Sequence, residues 1–164
     1  MVSWLARMLA LLFAVNTAMA LEAPQKETIL VVSGNIAVTN GPGVAYFDSD
    51  MLDRLPQHEF TTSTPWYSEP RTFRGPLLRD LLSLLNASGT RLYITALNEY
   101  RAQLPVSDTA KYDVILARRI NGHPLRVRDR GPTFIVYPFD QDPDLKSETY
   151  YNRSVWQVKR IHVE

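Results

Sequence analysis

The chain has 164 residues and contains no cysteine. A protein without cysteine forms no disulfide, so its fold is held by non-covalent packing. It also has no thiolate to act as a nucleophile or as a soft metal ligand. Disulfide scaffolds, cysteine-dependent enzymes and thiolate metal centres are therefore excluded.

Several other signatures of function are missing. The three histidines, His58, His123 and His162, are far apart, so a histidine zinc site is not expected. No G-x-S-x-G elbow, phosphate loop or dinucleotide fingerprint occurs. The formal net charge of +1 provides no electrostatic basis for nucleic-acid binding. No long apolar run follows the first 20 residues.

Residues 1–20 have the features of a secretory signal peptide. Arg7 precedes the apolar run Met8–Val15, and Ala18-Met19-Ala20 is an A-x-A cleavage pattern. The alternative is a membrane anchor, but the apolar run is shorter than the roughly 20 residues that span a bilayer. We therefore expect an exported, periplasmic protein with one domain over residues 21–164.

The hydrophobic patterns predict an α+β fold with a mixed sheet. Leucines at helical spacing predict one long amphipathic helix over Pro76–Asn86. A shorter helix capped by Asp48 or Ser49 is expected to end at Arg54. Strands are predicted at Thr28–Val32, Glu59–Thr64, Arg91–Leu97, Arg101–Leu104, Val114–Ile120, Phe134–Val136 and Val155–Val163.

A run of hydroxyl side chains precedes a tryptophan at Thr61–Trp66. Thr62 and Ser63 would offer hydrogen bonds to the edge of a flat heterocycle, while Trp66 packs on its face. The same pattern is also typical of a threonine-rich edge strand that leads to a buried tryptophan. Both interpretations stay open at this point.

Three further places supply candidate binding residues. Asn98 and Tyr100 follow an apolar strand, where Asn98 is equally typical of a turn. Asp129 and Arg130 belong to a basic loop that would clamp an anion or a ring, or would simply pair with itself in solvent. Arg153 and Ser154 lie where we expect the last strand to begin. Trp156 is more typical of the core.

The order of several motifs resembles the molybdopterin-binding domain of the sulfite oxidase family. The resemblance covers about residues 70–163. The matching segments are Phe73-Arg74-Gly75-Pro76-Leu77-Leu78, Asn98-x-Tyr100, Asn121-Gly122-x-Pro124-Leu125, Gly131-Pro132, Pro138 and Arg153-Ser154-x-Trp156. It implies a sulfite oxidase-like fold with a mixed, barrel-like β core.

The chain departs from that family at the metal. The family's cysteine ligand lies upstream of the Gly-x-x-Leu helix, and here that neighbourhood is Thr61–Trp66. Hydroxyls are poor substitutes for a soft thiolate ligand, so molybdenum and oxygen-atom transfer are not expected.

The sequence is most similar to small cysteine-less periplasmic proteins of this family. That similarity implies a non-enzymatic protein that binds a free, reduced pterin. It would report to the periplasmic domain of a membrane-bound signalling protein, such as a cyclic-di-GMP synthase or phosphodiesterase, or a sensor kinase. The nine site residues would then be pterin ligands, with Asp129 facing the amino edge of the ring and Arg153 and Ser154 its polar tail. The alternatives are a molybdopterin-dependent oxidoreductase subunit and a ligand-free interaction module.

Overall fold

The computed structural model describes residues 21–164. The predicted signal peptide lies outside the described residues. The described chain contains eleven strands, four short α-helices and two 3-10 turns, which makes the fold mixed α+β and mostly sheet. The strands are β1 Leu30–Gly34, β2 Val44–Phe47, β3 Gln57–Thr64, β4 Tyr67–Pro76, β5 Arg91–Ala96, β6 Arg101–Pro105, β7 Ile115–Ala117, β8 Arg119–Ile120, β9 His123–Pro124, β10 Phe134–Val136 and β11 Val158–Val163. The helices are α1 Ser49–Arg54, α2 Leu78–Leu84, α3 Val106–Lys111 and α4 Glu148–Arg153.

The largest sheet has five strands in the order β2-β1-β11-β5-β6. Strands β1 and β11 pair in parallel, with Val32 opposite Ile161, and the other pairs are antiparallel. The parallel pair brings the two ends of the described chain into one sheet. The β5–β6 hairpin then carries Asn98 and Tyr100 in its connection.

Two smaller sheets complete the β structure. Strands β3, β4, β8 and β9 form one, and β7 pairs with β10 in the other. A two-residue turn, Pro65-Trp66, joins β3 to β4, so that Trp66 projects from the end of a hairpin. Within residues 21–164 none of the three sheets closes into a barrel, so the barrel-like part of the fold prediction is wrong.

The predicted long helix is short, because the sheet competes for its first turn. Pro76 is still paired with Gln57 in the sheet, and Leu77 forms a bridge to Ile115. Helix α2 therefore begins at Leu78, and after Leu84 the chain leaves the helix through Asn86, whose φ is 46°. The helix contributes Leu78, Leu81 and Leu82 to the core. Complete burial of such a side chain stabilises the fold by about 1.5–3 kcal/mol.

Only Phe134–Val136 has its predicted bounds, and four other predicted strands differ from the observed ones by one or two residues at an end. The remaining two differ more, each for a local reason. The chain over Val114–Ile120 is interrupted at Arg118, so β7 and β8 lie in different sheets. Strand β11 starts at Val158 and not at Val155, because Gln157 has a φ of 55° and breaks the extended backbone. Helix α1 and its Asp48 cap agree with the prediction: the carboxylate of Asp48 accepts the backbone N–H of Met51 at 2.9 Å.

The core is one continuous apolar cluster between the sheets and α2. Its largest buried members include Phe73, Phe134, Tyr137 and Phe139. No helix within residues 21–164 has both the length and the apolar character needed to cross a membrane.

Candidate functional site

A cavity of about 250 Å³ opens beside the end of helix α4, and we call it the tryptophan pocket. Three separate parts of the chain form its walls: the β3–β4 turn, the β5–β6 connection and the segment from α4 to β11. Its lining residues are Trp66, Ala96, Asn98, Tyr100, Tyr151, Asn152, Ser154, Val155 and Trp156. Four of the nine predicted site residues, Trp66, Asn98, Tyr100 and Ser154, therefore lie together.

One wall of the tryptophan pocket consists of aromatic rings in fixed orientations. The ring of Trp66 lies edge-to-face against Trp156, with 5.7 Å between centroids, and against Tyr151 at 6.1 Å. Behind it, Trp66 also contacts the buried ring of Phe134 at 5.5 Å. Edge-to-face contacts of this kind stabilise aromatic pairs beyond their buried area. The pocket thus has a rigid, apolar wall suited to a flat ring.

Polar side chains also line the tryptophan pocket, among them Asn98 and Ser154. The side-chain oxygen of Asn98 accepts the backbone N–H of Tyr100 at 3.1 Å, which fixes the side chain at the turn. Asn98 lines the cavity, and within residues 21–164 its amide nitrogen has no protein partner, so its two N–H donors are available to a ligand. The hydroxyl of Ser154 donates to the carbonyl of Tyr150 at 2.9 Å and can only accept from a ligand.

Thr62 and Ser63 do not line the tryptophan pocket. Ser63 donates both its backbone N–H and its hydroxyl to the carboxylate of Asp140, at 2.7 and 2.5 Å. The hydroxyl of Thr62 is buried and accepts the backbone N–H of Asp140 at 3.0 Å. Hydrogen bonds from Lys146 and then Ser63 lower the pKa of Asp140 to about 2. These contacts fasten β3 to the segment that leads into α4.

Arg153 ends helix α4 and turns away from the pocket toward a buried carboxylate. One of its terminal nitrogens lies 2.8 Å from a carboxylate oxygen of Asp108, and the same oxygen accepts the hydroxyl of Tyr137 at 2.8 Å. The side chains of Arg153 and Asp108 are 24% and 10% exposed. Burial and the nearby carboxylate raise the pKa of Tyr137, so it remains a neutral donor. Arg153 thus anchors the helix that carries part of the pocket wall.

Asp129 and Arg130 belong to a second cavity, of about 590 Å³, which we call the arginine pocket. The carboxylate of Asp129 forms an ion pair with Arg126, with 2.9 Å between a carboxylate oxygen and Nε. Arg130 has a left-handed backbone with φ 70°, and its guanidinium carbon lies 4.8 Å from the ring centre of Tyr67 and 5.4 Å from that of Trp156. The cavity is lined by Tyr67, Arg71, Ile120, Asn121, His123, Pro124, Arg126, Arg128, Asp129 and Arg130. Because Trp156 lines the tryptophan pocket, the contact with Arg130 joins the two cavities.

Several residues that shape the site were not predicted from the sequence. Trp156 was assigned to the core, and Tyr151 was not among the predicted site residues, yet both form the aromatic wall. Asp108 and Asp140, which hold Arg153 and Ser63, carried no local signal. The aromatic side chains concentrated at Tyr150, Tyr151 and Trp156 were the one pattern that pointed to this wall.

The side chains near Thr61–Trp66 do not fit a molybdenum ion. The chain offers no sulfur anion, and the hydroxyls of Thr62 and Ser63 are already engaged with Asp140. Within residues 21–164, no three His, Asp or Glu side chains are grouped so as to hold a metal ion. The arrangement offers an aromatic surface and hydrogen-bond donors and acceptors for an organic ring.

No protein-family model and no curated protein matches the sequence. Among solved structures, the fold is similar to that of the sulfane dehydrogenase SoxCD from Paracoccus pantotrophus, with a TM-score of 0.64 and 20% sequence identity. The match covers 88% of this chain but 40% of that chain, so this protein spans less than half of its length. At this identity the likeness shows the fold alone, and the fold is a mixed α+β arrangement similar to the sulfite oxidase type.

Proposed function

We propose that this protein is a non-enzymatic, periplasmic binding protein for a free, reduced pterin, and that the tryptophan pocket is the binding site. The observation that carries the proposal is that the aromatic wall of Trp66, Trp156 and Tyr151 and the side-chain amide of Asn98 line the same cavity. A pterin has two apolar faces and an edge rich in hydrogen-bonding nitrogen and oxygen atoms. The aromatic wall would pack against one face of the pterin, and the side-chain amide of Asn98 would hydrogen-bond to its edge.

The size of the cavity supports a small ligand. Its volume of about 250 Å³ lies just below the range of roughly 300–1,000 Å³ that is typical of sites for drug-sized molecules. A bicyclic ring fits such a space, whereas a dinucleotide does not. The polar ring edge would accept N–H bonds from Asn98 and offer a hydrogen to the lone pairs of Ser154.

The side chains around the cavity favour binding over catalysis. The lining includes no carboxylate, histidine or lysine that would serve as a general base or acid. Its titratable side chains are the phenols of Tyr100 and Tyr151. A bound pterin would therefore act as a signal, which the protein conveys to the periplasmic domain of a membrane-bound signalling protein, such as a cyclic-di-GMP synthase or phosphodiesterase, or a sensor kinase.

Tryptophan fluorescence provides a direct test. Residues 21–164 contain two tryptophans, Trp66 and Trp156, and both line the pocket. We expect an anaerobic titration of tetrahydropterin to quench the emission of protein expressed from Leu21 in a saturable way. Asn98→Ala should raise the dissociation constant obtained from the quenching curve by about tenfold, since a lost hydrogen bond to a buried ligand costs about 1–2 kcal/mol.

Asn35→Ala is the matched control, because Asn35 is an exposed asparagine outside both cavities. Quenching that does not saturate contradicts binding in the tryptophan pocket. So does a dissociation constant that Asn35→Ala and Asn98→Ala raise equally.

A further inference from the structure

The loop of residues 126–130, which lines the arginine pocket, presents an apolar side chain between two cationic ones. Val127 is 55% exposed, the highest value among the exposed large apolar residues of the described chain. The side chains of its neighbours Arg126 and Arg128 are 64% and 69% exposed. All three side chains are therefore accessible to a partner.

The arginine pocket has a surplus of positive charge. Four arginines and one aspartate line it, a surplus of three positive charges, in a chain with a formal net charge of +1. Arg71 and Arg130 both lie over the ring of Tyr67, at 5.6 and 4.8 Å. Within residues 21–164 neither guanidinium lies within 4.0 Å of a carboxylate. Their N–H edges therefore remain available for an external anion.

We infer that this surface docks an acidic segment of a partner protein that also carries an apolar side chain. The segment's carboxylates would pair with Arg126, Arg128 and the stacked guanidiniums, and its apolar side chain would cover Val127. Tyrosine and arginine are enriched among the residues that dominate protein interfaces. The exposure of Val127 favours a protein segment over a small oxyanion, since a phosphate would leave this apolar side chain in solvent.

The docking surface is connected to the tryptophan pocket through Gln157. The side-chain amide of Gln157 donates to the carbonyl of Val127 at 2.7 Å, and its backbone N–H donates to the carbonyl of Arg130 at 3.1 Å. Gln157 directly follows Trp156, and Arg130 lies over the Trp156 ring. A ring bound against Trp156 would thus bias the position of the loop that contacts the partner. That a partner exists rests on the proposed function. The inference adds the chemistry of the partner and the surface of this protein that it contacts.

Site-specific photo-crosslinking tests the surface. A benzoylphenylalanine would replace Val127 in the full chain, produced in its native host, and the cross-linked peptide would be sequenced by mass spectrometry. Leu84 is the matched control position, because it is exposed but lies on α2, away from both cavities. We expect an adduct at position 127 with a peptide that contains several Asp or Glu residues and at least one apolar residue, and no such adduct at position 84.

Charge reversal then tests the chemistry. We expect Arg126→Glu with Arg128→Glu to reduce the adduct by about tenfold or more, and Lys substitutions in the captured acidic peptide to restore it. Arg91→Glu with Arg160→Glu, a pair of exposed arginines outside both cavities, should leave the adduct unchanged. A circular dichroism spectrum and a thermal unfolding midpoint like those of the wild type show that each variant is folded.

The inference is overturned if the captured peptide lacks carboxylates, or if reversing Arg126 and Arg128 leaves the adduct intact. It is also overturned if position 127 gives no adduct while inorganic phosphate shifts the NMR signals of Tyr67 and Arg130, because the cavity is then a small-anion site. An adduct that behaves as expected in a protein that tetrahydropterin does not quench would support docking and contradict the pterin proposal alone.

Discussion

The guanidinium of Arg130 lies over the ring of Trp156, with 5.4 Å between its central carbon and the ring centre. This contact places a cation that belongs to one cavity against an aromatic wall of the other. Cation–π contacts of this kind contribute about 0.5–2 kcal/mol, depending on how far they are removed from water. The two cavities are therefore energetically linked through one pair of side chains.

Removing the indole of Trp156 should weaken ligand binding. We expect Trp156→Ala to reduce the affinity for tetrahydropterin by roughly tenfold or more, because base–aromatic stacking contributes about 1–3 kcal/mol. Trp156→Phe keeps an aromatic face and should lose less. Calorimetric titration of the two variants checks the difference. Equal affinities for wild type and Trp156→Ala would remove Trp156 from the site.

Breaking the contact between Arg153 and Asp108 should destabilise the protein. Removal of one partner of a buried ion pair costs about 3–5 kcal/mol. Since about a quarter of the Arg153 side chain is exposed, we expect Arg153→Met to cost roughly 2–3 kcal/mol in urea unfolding. Arg153→Met combined with Asp108→Asn should recover part of the loss, because no buried charge is then left unpaired.

The exposed pair of Lys26 and Asp50 provides the matched control. Lys26→Met should cost much less than Arg153→Met, because water and salt screen an exposed ion pair. A cost for Arg153→Met as small as that of the control would contradict an anchoring role for Arg153.

The Asp140 contact predicts a specific loss of stability in acid. Because the folded pKa is lowered from 3.8 to about 2, the contribution of Asp140 is fully present above about pH 5 and is lost as the pH falls toward 2. Lys146→Gln removes the largest cause and Ser63→Ala the next, so each should move the pKa of Asp140 back toward 3.8. Carboxyl NMR titration measures this pKa directly. An unchanged pKa in both variants would contradict the contacts at β3.

A close backbone approach makes Gly75 sensitive to substitution. An added Cβ would lie 2.0 Å from the carbonyl oxygen of Leu116, so β4 and β7 would have to separate. We expect Gly75→Ala to destabilise the protein by roughly 1–3 kcal/mol or more. Gly122→Ala meets no atom within 4 Å, although its φ is +80°, and should cost about 1–2 kcal/mol. A thermal scan that ranks Gly122→Ala as the more damaging change would contradict the packing of β4 against β7.

The sequence predicted local features well where a single signal dominates. Asp48 caps α1 as expected, and Phe134–Val136 has the predicted strand bounds. The order of the motifs over residues 70–163 predicted a fold similar to the one observed. Helix α2 is shorter than its leucine pattern because Leu77 takes part in a bridge to Ile115, a tertiary contact that periodicity does not encode.

The candidate site was predictable only in part, because long-range contacts decide which side chains face the cavity. Trp66, Asn98, Tyr100 and Ser154 converge on it from three segments. The hydroxyls of Thr62 and Ser63 do not, because Asp140, 77 residues beyond Ser63, binds them. Arg153 is likewise directed away by Asp108, 45 residues earlier in the chain.

Calorimetric titration with tetrahydropterin under anaerobic conditions tests the central claim most directly. The account predicts saturable binding of one ligand to the wild-type protein, weakened by Trp156→Ala and by Asn98→Ala and unaffected by Asn35→Ala. The absence of any heat of binding up to millimolar ligand would contradict it.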